Sequence, residues 1–171
     1  MAKSASTASE KLNAEDLGAP FLRNVLANLG DAKLPNHVVA TTAVFRAEKI
    51  IKAKMAAALT DLDLAPDRYQ VLALLAAADG GKMSLSDLSR AVLIHPATTT
   101  YTVDTLEKRG LIKRQSDPND RRGVLAQVTP AGRELVKKAT KLLEGIDWGI
   151  GEISDEDAAT VARVLSHLHP S

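Results

Sequence analysis

Two short stretches hold the residues best suited to chemistry. The first is Asp117-Pro118-Asn119-Asp120-Arg121-Arg122-Gly123. Asp-Pro-Asn-Asp is a strong turn signal, and two adjacent arginines follow it. Asp120 can pair with Arg122, or accept a nearby amide, and so hold the tip in one shape. Arg122 would then project. An arginine on a narrow loop suits the minor groove of DNA, where the negative potential rises as the groove narrows. Arg121 and the upstream Arg114 suit phosphate. The second stretch is Pro96-Ala97-Thr98-Thr99-Thr100-Tyr101. Small side chains let a backbone approach a duplex closely. Threonine hydroxyls bond phosphate or base edges, and threonine methyls touch thymine. Threonine is a poor helix former, so three in a row need a reason beyond secondary structure. Ser86, on the segment that would brace such a helix across the phosphate backbone, completes the candidate set.

Other chemistries find little support. The 171 residues include no Cys, which excludes disulfides, thiolate metal sites and Cys nucleophiles. His37, His95, His167 and His169 are too scattered for a metal triad, and His167-x-His169 reads as an exposed tail. Asp79-Gly80-Gly81 follows a helical stretch rather than a strand, so it reads as a plain turn and not a phosphate cradle. No nucleophile and base stand at motif spacing. The expectation is a protein that is not an enzyme and that uses no metal or cofactor. Net charge is +1 and carries no message, but residues 105–122 set Lys108, Arg109, Lys113, Arg114, Arg121 and Arg122 against only Glu107, Asp117 and Asp120. No apolar run approaches the roughly 20 residues that span a bilayer, and MAKSASTASEKLN lacks the apolar core of a secretory signal. A cytoplasmic location without membrane contact is expected.

The elements that must position these residues follow from periodicity. Aromatics are 3% of the chain, so Leu, Val, Ile and Ala fill the core and favour helices. Residues 1–15 are small and polar and are expected to be disordered. A short helix is expected over 20–29, then a longer one from Asn36 to about Leu59. Pro66 opens a helix to about Ala78. Ser84-x-x-Asp87 resembles a capping box for a short helix through Ala91. His95-Pro96 begins another, ending at Gly110. The period then shortens: 111–116 and 123–128 predict a hairpin. Thr129-Pro130 opens a long helix that ends or bends near Trp148, and Ser154-x-x-Asp157 caps a last one. Helix, short helix, tight turn, helix, β-hairpin is the order of a winged helix-turn-helix. The expected fold is mainly α with a small β-hairpin wing and dimerisation helices at both ends: 1–15 as tail, 16–62 as N-terminal dimerisation helices, 63–129 as the DNA-binding domain, and 130–171 as C-terminal dimerisation helices.

Residues 64–133 resemble the MarR family (multiple antibiotic resistance regulators). Leu106-Glu107-Lys108-Arg109-Gly110-Leu111-Ile112-Lys113-Arg114 is similar to that family's end of the recognition helix and first wing strand. Asp117 to Gly123, then Val128-Thr129-Pro130-Ala131-Gly132, are similar to its wing and the start of its fifth helix. The resemblance implies a two-fold homodimer clasped by its terminal helices. It also implies a pseudo-palindromic operator in double-stranded DNA, repression, and release by a small aromatic or phenolic effector. The chain departs from the family pattern at Tyr101, where many members carry Arg, and at Thr129-Pro130 in place of Leu-Thr. Dimerisation has separate support, because the flanking helices carry more apolar surface than one small winged domain can cover; a larger monomeric core is the competing reading. The alternative function is a winged domain used for protein contacts, or for ligand sensing without operator binding.

Overall fold

The computed structural model describes residues 36–118 and 120–169, with the backbone alone at 121 and 122. The tail at 1–15 and the helix expected at 20–29 lie outside the described residues. The chain divides into two compact units between Lys49 and Ile50. The described part of the first is the N-terminal stretch of α1 (Asn36–Ala58). There Thr42 Oγ1 donates to Val38 O at 2.8 Å, and Val38, Val44 and Phe45 are exposed.

The second unit begins within α1 and continues through a 3-10 turn at Thr60–Leu62. Next come α2 (Pro66–Ala77), a turn at Asp79–Gly81, β1 (Lys82–Ser84), α3 (Leu85–Val92) and α4 (Pro96–Lys108). They are followed by β2 (Ile112–Asp117), β3 (Asp120–Val128), α5 (Pro130–Glu144), a turn at Asp147–Gly149 and α6 (Asp155–Leu165). Local chemistry sets the boundaries. Pro66, Pro96 and Pro130 each stand in a first turn, where the missing N–H costs nothing. Ser84 Oγ accepts from the Asp87 N–H at 3.0 Å and donates to its carboxylate at 2.6 Å. Ser154 and Asp157 repeat the arrangement at 3.1 and 2.7 Å. Asp therefore fills the place of Glu in both capping boxes.

The hairpin expected from the sequence is the larger part of a three-stranded antiparallel sheet in the order β1-β3-β2. β1 adds the third strand, pairing Lys82 with Gln127 and Ser84 with Leu125. Three residues are too few to show an alternating pattern, so periodicity gave no sign of it. The core lies between the sheet and the helices. Leu72 and Leu75 of α2, Leu88 of α3, Val103 and Leu106 of α4, Ile112 of β2, Ala126 of β3 and Leu143 of α5 are all buried there.

The start of α5 is fastened to the end of α4. The Thr129 N–H donates to Leu111 O at 3.0 Å. Its Oγ1 lies 2.8 Å from Gly110 O, as donor, and accepts from the Gly132 N–H at 3.1 Å. This brings the first turn of α5 so close that a Cβ on Gly132 would stand 2.3 Å from Leu111 O. The obstacle is backbone and cannot rotate away. Gly132→Ala is therefore expected to destabilise the fold by about 1–3 kcal/mol, the usual range for overpacking. Urea unfolding of the two proteins measures it, and an unchanged midpoint would refute the close seating.

Candidate nucleic-acid interface

The turn between α3 and α4 is locked from inside. Leu93 takes the left-handed conformation, with φ 54° and ψ 38°. The Ile94 N–H donates to Ser89 O at 3.3 Å, and the buried Ser89 Oγ donates to Ile94 O at 2.6 Å. Leu93 is left 71% exposed at the corner. His95 occupies the cap position of α4, where its Nδ1 accepts from the Ala97 N–H at 3.2 Å.

Rotation of about 100° per residue then sorts α4 into two faces. Thr99, Thr102, Val103 and Leu106 point into the core. Pro96, Ala97, Thr98, Thr100 and Tyr101 are exposed, Tyr101 at 66%. Thr99 corrects the sequence reading: it was grouped with its neighbours on the outward face, but it is fully buried, with Oγ1 3.5 Å from His95 O. Three consecutive threonines cannot share one face of a helix. Ser86 is exposed on α3, 2.9 Å from Ser84 Oγ.

Beside this helix stands the wing. β2 and β3 pair regularly from Ile112–Val128 to Ser116–Val124, then jump to Asp117–Asp120. Residues 121–123 thus bulge from the ladder. Gly123 is required there, because a Cβ would lie 2.9 Å from the Asp117 Cβ and 3.0 Å from the Asp120 Cβ. Asp120 is exposed and has an interaction partner. The side chains of Arg121 and Arg122 lie outside the described residues.

Arg114 holds a more internal place than a phosphate contact needs. Its guanidinium reaches Asp104 Oδ1 at 2.5 Å and Thr100 O at 3.2 Å, with Glu107 Oε2 3.7 Å from Nε. Its backbone N–H donates to Glu107 Oε1 at 2.8 Å. The side chain is 27% exposed. It ties the first wing strand to the flank of α4. Arg109 is engaged in the same way, donating to Asp63 O at 2.6 Å and Leu62 O at 3.3 Å. Two of the six basic residues counted in this segment thus serve the fold. Asp104 was missed as a functional residue. Its spacing with Glu107, at i and i+3 on one helix flank, was the available signal.

An α3–turn–α4 unit on a three-stranded sheet with a bulged hairpin defines a winged helix-turn-helix protein. The MarR family model matches residues 65–124. The HTH-type transcriptional regulator MhqR of Bacillus subtilis (strain 168) is 30% identical over 106 residues, covering 61% of this chain and 72% of MhqR. Sco5413 of Streptomyces coelicolor, a MarR family transcriptional regulator, is 30% identical in sequence. Its solved structure superposes with a TM-score of 0.71, over 77% of this chain and 91% of Sco5413. The chain belongs to the MarR family, whose members are transcriptional regulators rather than enzymes. Against YhbI of B. subtilis, 34% identical over 86 residues, the match spans half of this chain and 56% of the relative, little more than half its length.

The Arg114 contacts carry a prediction that needs no DNA. Arg114→Met leaves Asp104 and Glu107 side by side without their cation and frees the flank of α4. A loss of about 1–3 kcal/mol is expected, the range for removing one partner of a hydrogen-bonded polar group. Amide hydrogen exchange should quicken at 100–107 ahead of the core of α2. Unchanged exchange there would remove the brace.

Proposed function

We propose that this chain is a DNA-binding transcriptional regulator that reads a pseudo-palindromic operator as a homodimer, in the cytoplasm, and acts as a repressor released by a small aromatic or phenolic compound. The carrying observation is α4: one face is held in the core, while the opposite face is bare along its first two turns beside a bulged wing. A helix so presented suits the major groove, and a wing suits the adjacent minor groove. Pro96, Ala97, Thr98, Thr100 and Tyr101 are assigned to the duplex, with Ser86 on the backbone. Asp120 shapes the tip, Arg121 meets phosphate and Arg122 enters the minor groove. Arg114 is assigned to positioning. Residues 63–129 form the reading domain, and 16–62 with 130–171 provide the dimer contacts. Exposed Val161, Val164, Leu165 and Leu168 on and just after α6 support a second copy as their cover.

A cavity of about 460 Å³ supports the effector. Met55, Tyr69, Ala73, Leu74 and Trp148 line it, with Lys52 at its edge in an ion pair to Asp67 at 3.2 Å. The Tyr69 and Trp148 rings stand 6.2 Å apart at 50°. An aromatic ring suits such walls, and a phenolate or carboxylate suits the lysine.

Selection of bound duplexes from a random pool tests the reading. The expected product is an inverted repeat with half-sites about one helical turn apart. On that DNA, Arg122→Ala should weaken binding by about 1–3 kcal/mol. Unchanged affinity would refute the minor-groove assignment, and a purely monomeric protein in sedimentation would refute the two half-sites. Trp148 is the single tryptophan of the chain, so its emission reports on the cavity directly. Benzoate or phenol should shift that emission and release the DNA. Release with no change in emission would put the effector elsewhere.

A further inference from the structure

The exposed face of α4 is unusual in what it lacks. Guanine offers two acceptors, N7 and O6, to the major groove, and the side chains that meet both at once are Arg and Lys. The one basic residue in α4 is Lys108, in its last turn. It stands about 10 Å along the axis from Tyr101, at 1.5 Å per residue. Arg114 reaches the helix but is held by Asp104 and Thr100 O. No Asn or Gln stands in α4 either, so the usual bidentate partner of adenine is also missing.

What the face does present is methyl groups, a phenol and hydroxyl oxygens. Thr100 Oγ1 donates its hydrogen to Pro96 O at 3.0 Å, and Thr105 Oγ1 donates to Tyr101 O at 2.9 Å. A threonine hydroxyl has one hydrogen, so these two keep only acceptor capacity and a methyl for a partner. Neither can donate to guanine. Ala97 and Tyr101 lie on the outermost line of the helix, with Thr98 on its flank; all three are exposed. They offer a methyl, a phenol ring with its hydroxyl, and a second methyl beside a hydroxyl, so each hydroxyl can also donate a single hydrogen bond. Their match in a base edge is the C5 methyl of thymine, and the remaining lone pairs match the amino group of adenine.

We infer that α4 reads A·T pairs, with Ala97, Thr98 and Tyr101 as the specificity-determining side chains touching thymine methyls, and that it offers guanine no bidentate cationic partner. This rests on the proposed function, since it names which bases the reading helix prefers.

The test uses the full-length protein and the duplex selected from the random pool. That duplex is resynthesised with deoxyuridine in place of thymine at successive positions, which removes only the C5 methyl. Inside each half-site, every methyl that α4 touches should cost about fourfold in affinity, from roughly 0.8 kcal/mol per buried carbon. The same replacement in the flanks should cost nothing. Tyr101→Arg, at an exposed position where folding is not at stake, should move the preferred pair at one position of each half-site toward guanine. A selected inverted repeat with G·C at the reading positions, bound equally with and without methyls, overturns the inference and leaves the proposed function intact. A pool with no sequence preference overturns both.

Discussion

A helix that is to enter a groove must leave half its surface bare, so the other half has to hold it. α4 is 13 residues long, and four of them, Thr99, Thr102, Val103 and Leu106, face the core. Two of those four are threonines, so apolar burial alone is modest for a helix of this length. Polar fastenings at both ends make up the difference. Ser89 and Ile94 lock the turn before α4, and Thr129 ties the start of α5 to its far end. Arg114 and Arg109 hold the flank and the C-terminal end through carboxylates and backbone carbonyls. Hydrogen bonds to charged groups contribute about 1.5–3 kcal/mol each, roughly the burial of one Val or Leu side chain. Arginine is thus used here as a structural bolt.

That use reshapes the electrostatics of the reading head. A charge count over 105–122 does not tell which basic side chains are free, and Arg109 and Arg114 are turned inward. In the proposed function, attraction to phosphate then falls to Lys108, Lys113 and the wing arginines, and each phosphate neutralised adds to the salt dependence of binding. The face of α4 itself is close to neutral, since Asp104 is answered by Arg114. In the proposed function, affinity and sequence preference therefore come from separate surfaces: charge from the wing and the helix ends, discrimination from uncharged side chains between them.

Much of the fold was legible because its signals are local. Ser84 with Asp87, Ser154 with Asp157, Thr129 with Pro130, and Pro96 each mark a helix start through a bond spanning three residues or fewer. The hairpin announced itself through Asp117-Pro118. The features that stayed hidden depend on partners distant in sequence or on geometry finer than periodicity. β1 has meaning only against β3, more than 40 residues away. Arg114 looked like a phosphate contact because nothing in its own strand shows Asp104 waiting across the gap. Thr99 was misread because a composition argument treated three adjacent threonines as one surface, where a helix turns the middle one inward. Leu93 gave no warning of its left-handed backbone, since glycine or asparagine is the usual sign.

The same fastenings bear on how an effector can reach the DNA face. Tyr69 of α2 lines the cavity, with Trp148 against its ring, and its hydroxyl is hydrogen-bonded to Thr140 Oγ1 of α5 at 2.9 Å. α5 in turn begins at Thr129, bonded to Gly110 and Leu111 at the end of α4. A second tie runs from Arg133 of α5 to Ala76 O of α2 at 2.9 Å. In the proposed function, an effector in the cavity lies against the Tyr69 side chain, whose hydroxyl joins α2 to α5. Binding alone moves nothing: a ligand with equal affinity for two arrangements shifts neither, and a change from 1:99 to 99:1 requires about 5.5 kcal/mol of difference. In the proposed function, the Tyr69–Thr140 bond, which joins a residue of the cavity wall to α5, is a place where that difference can arise.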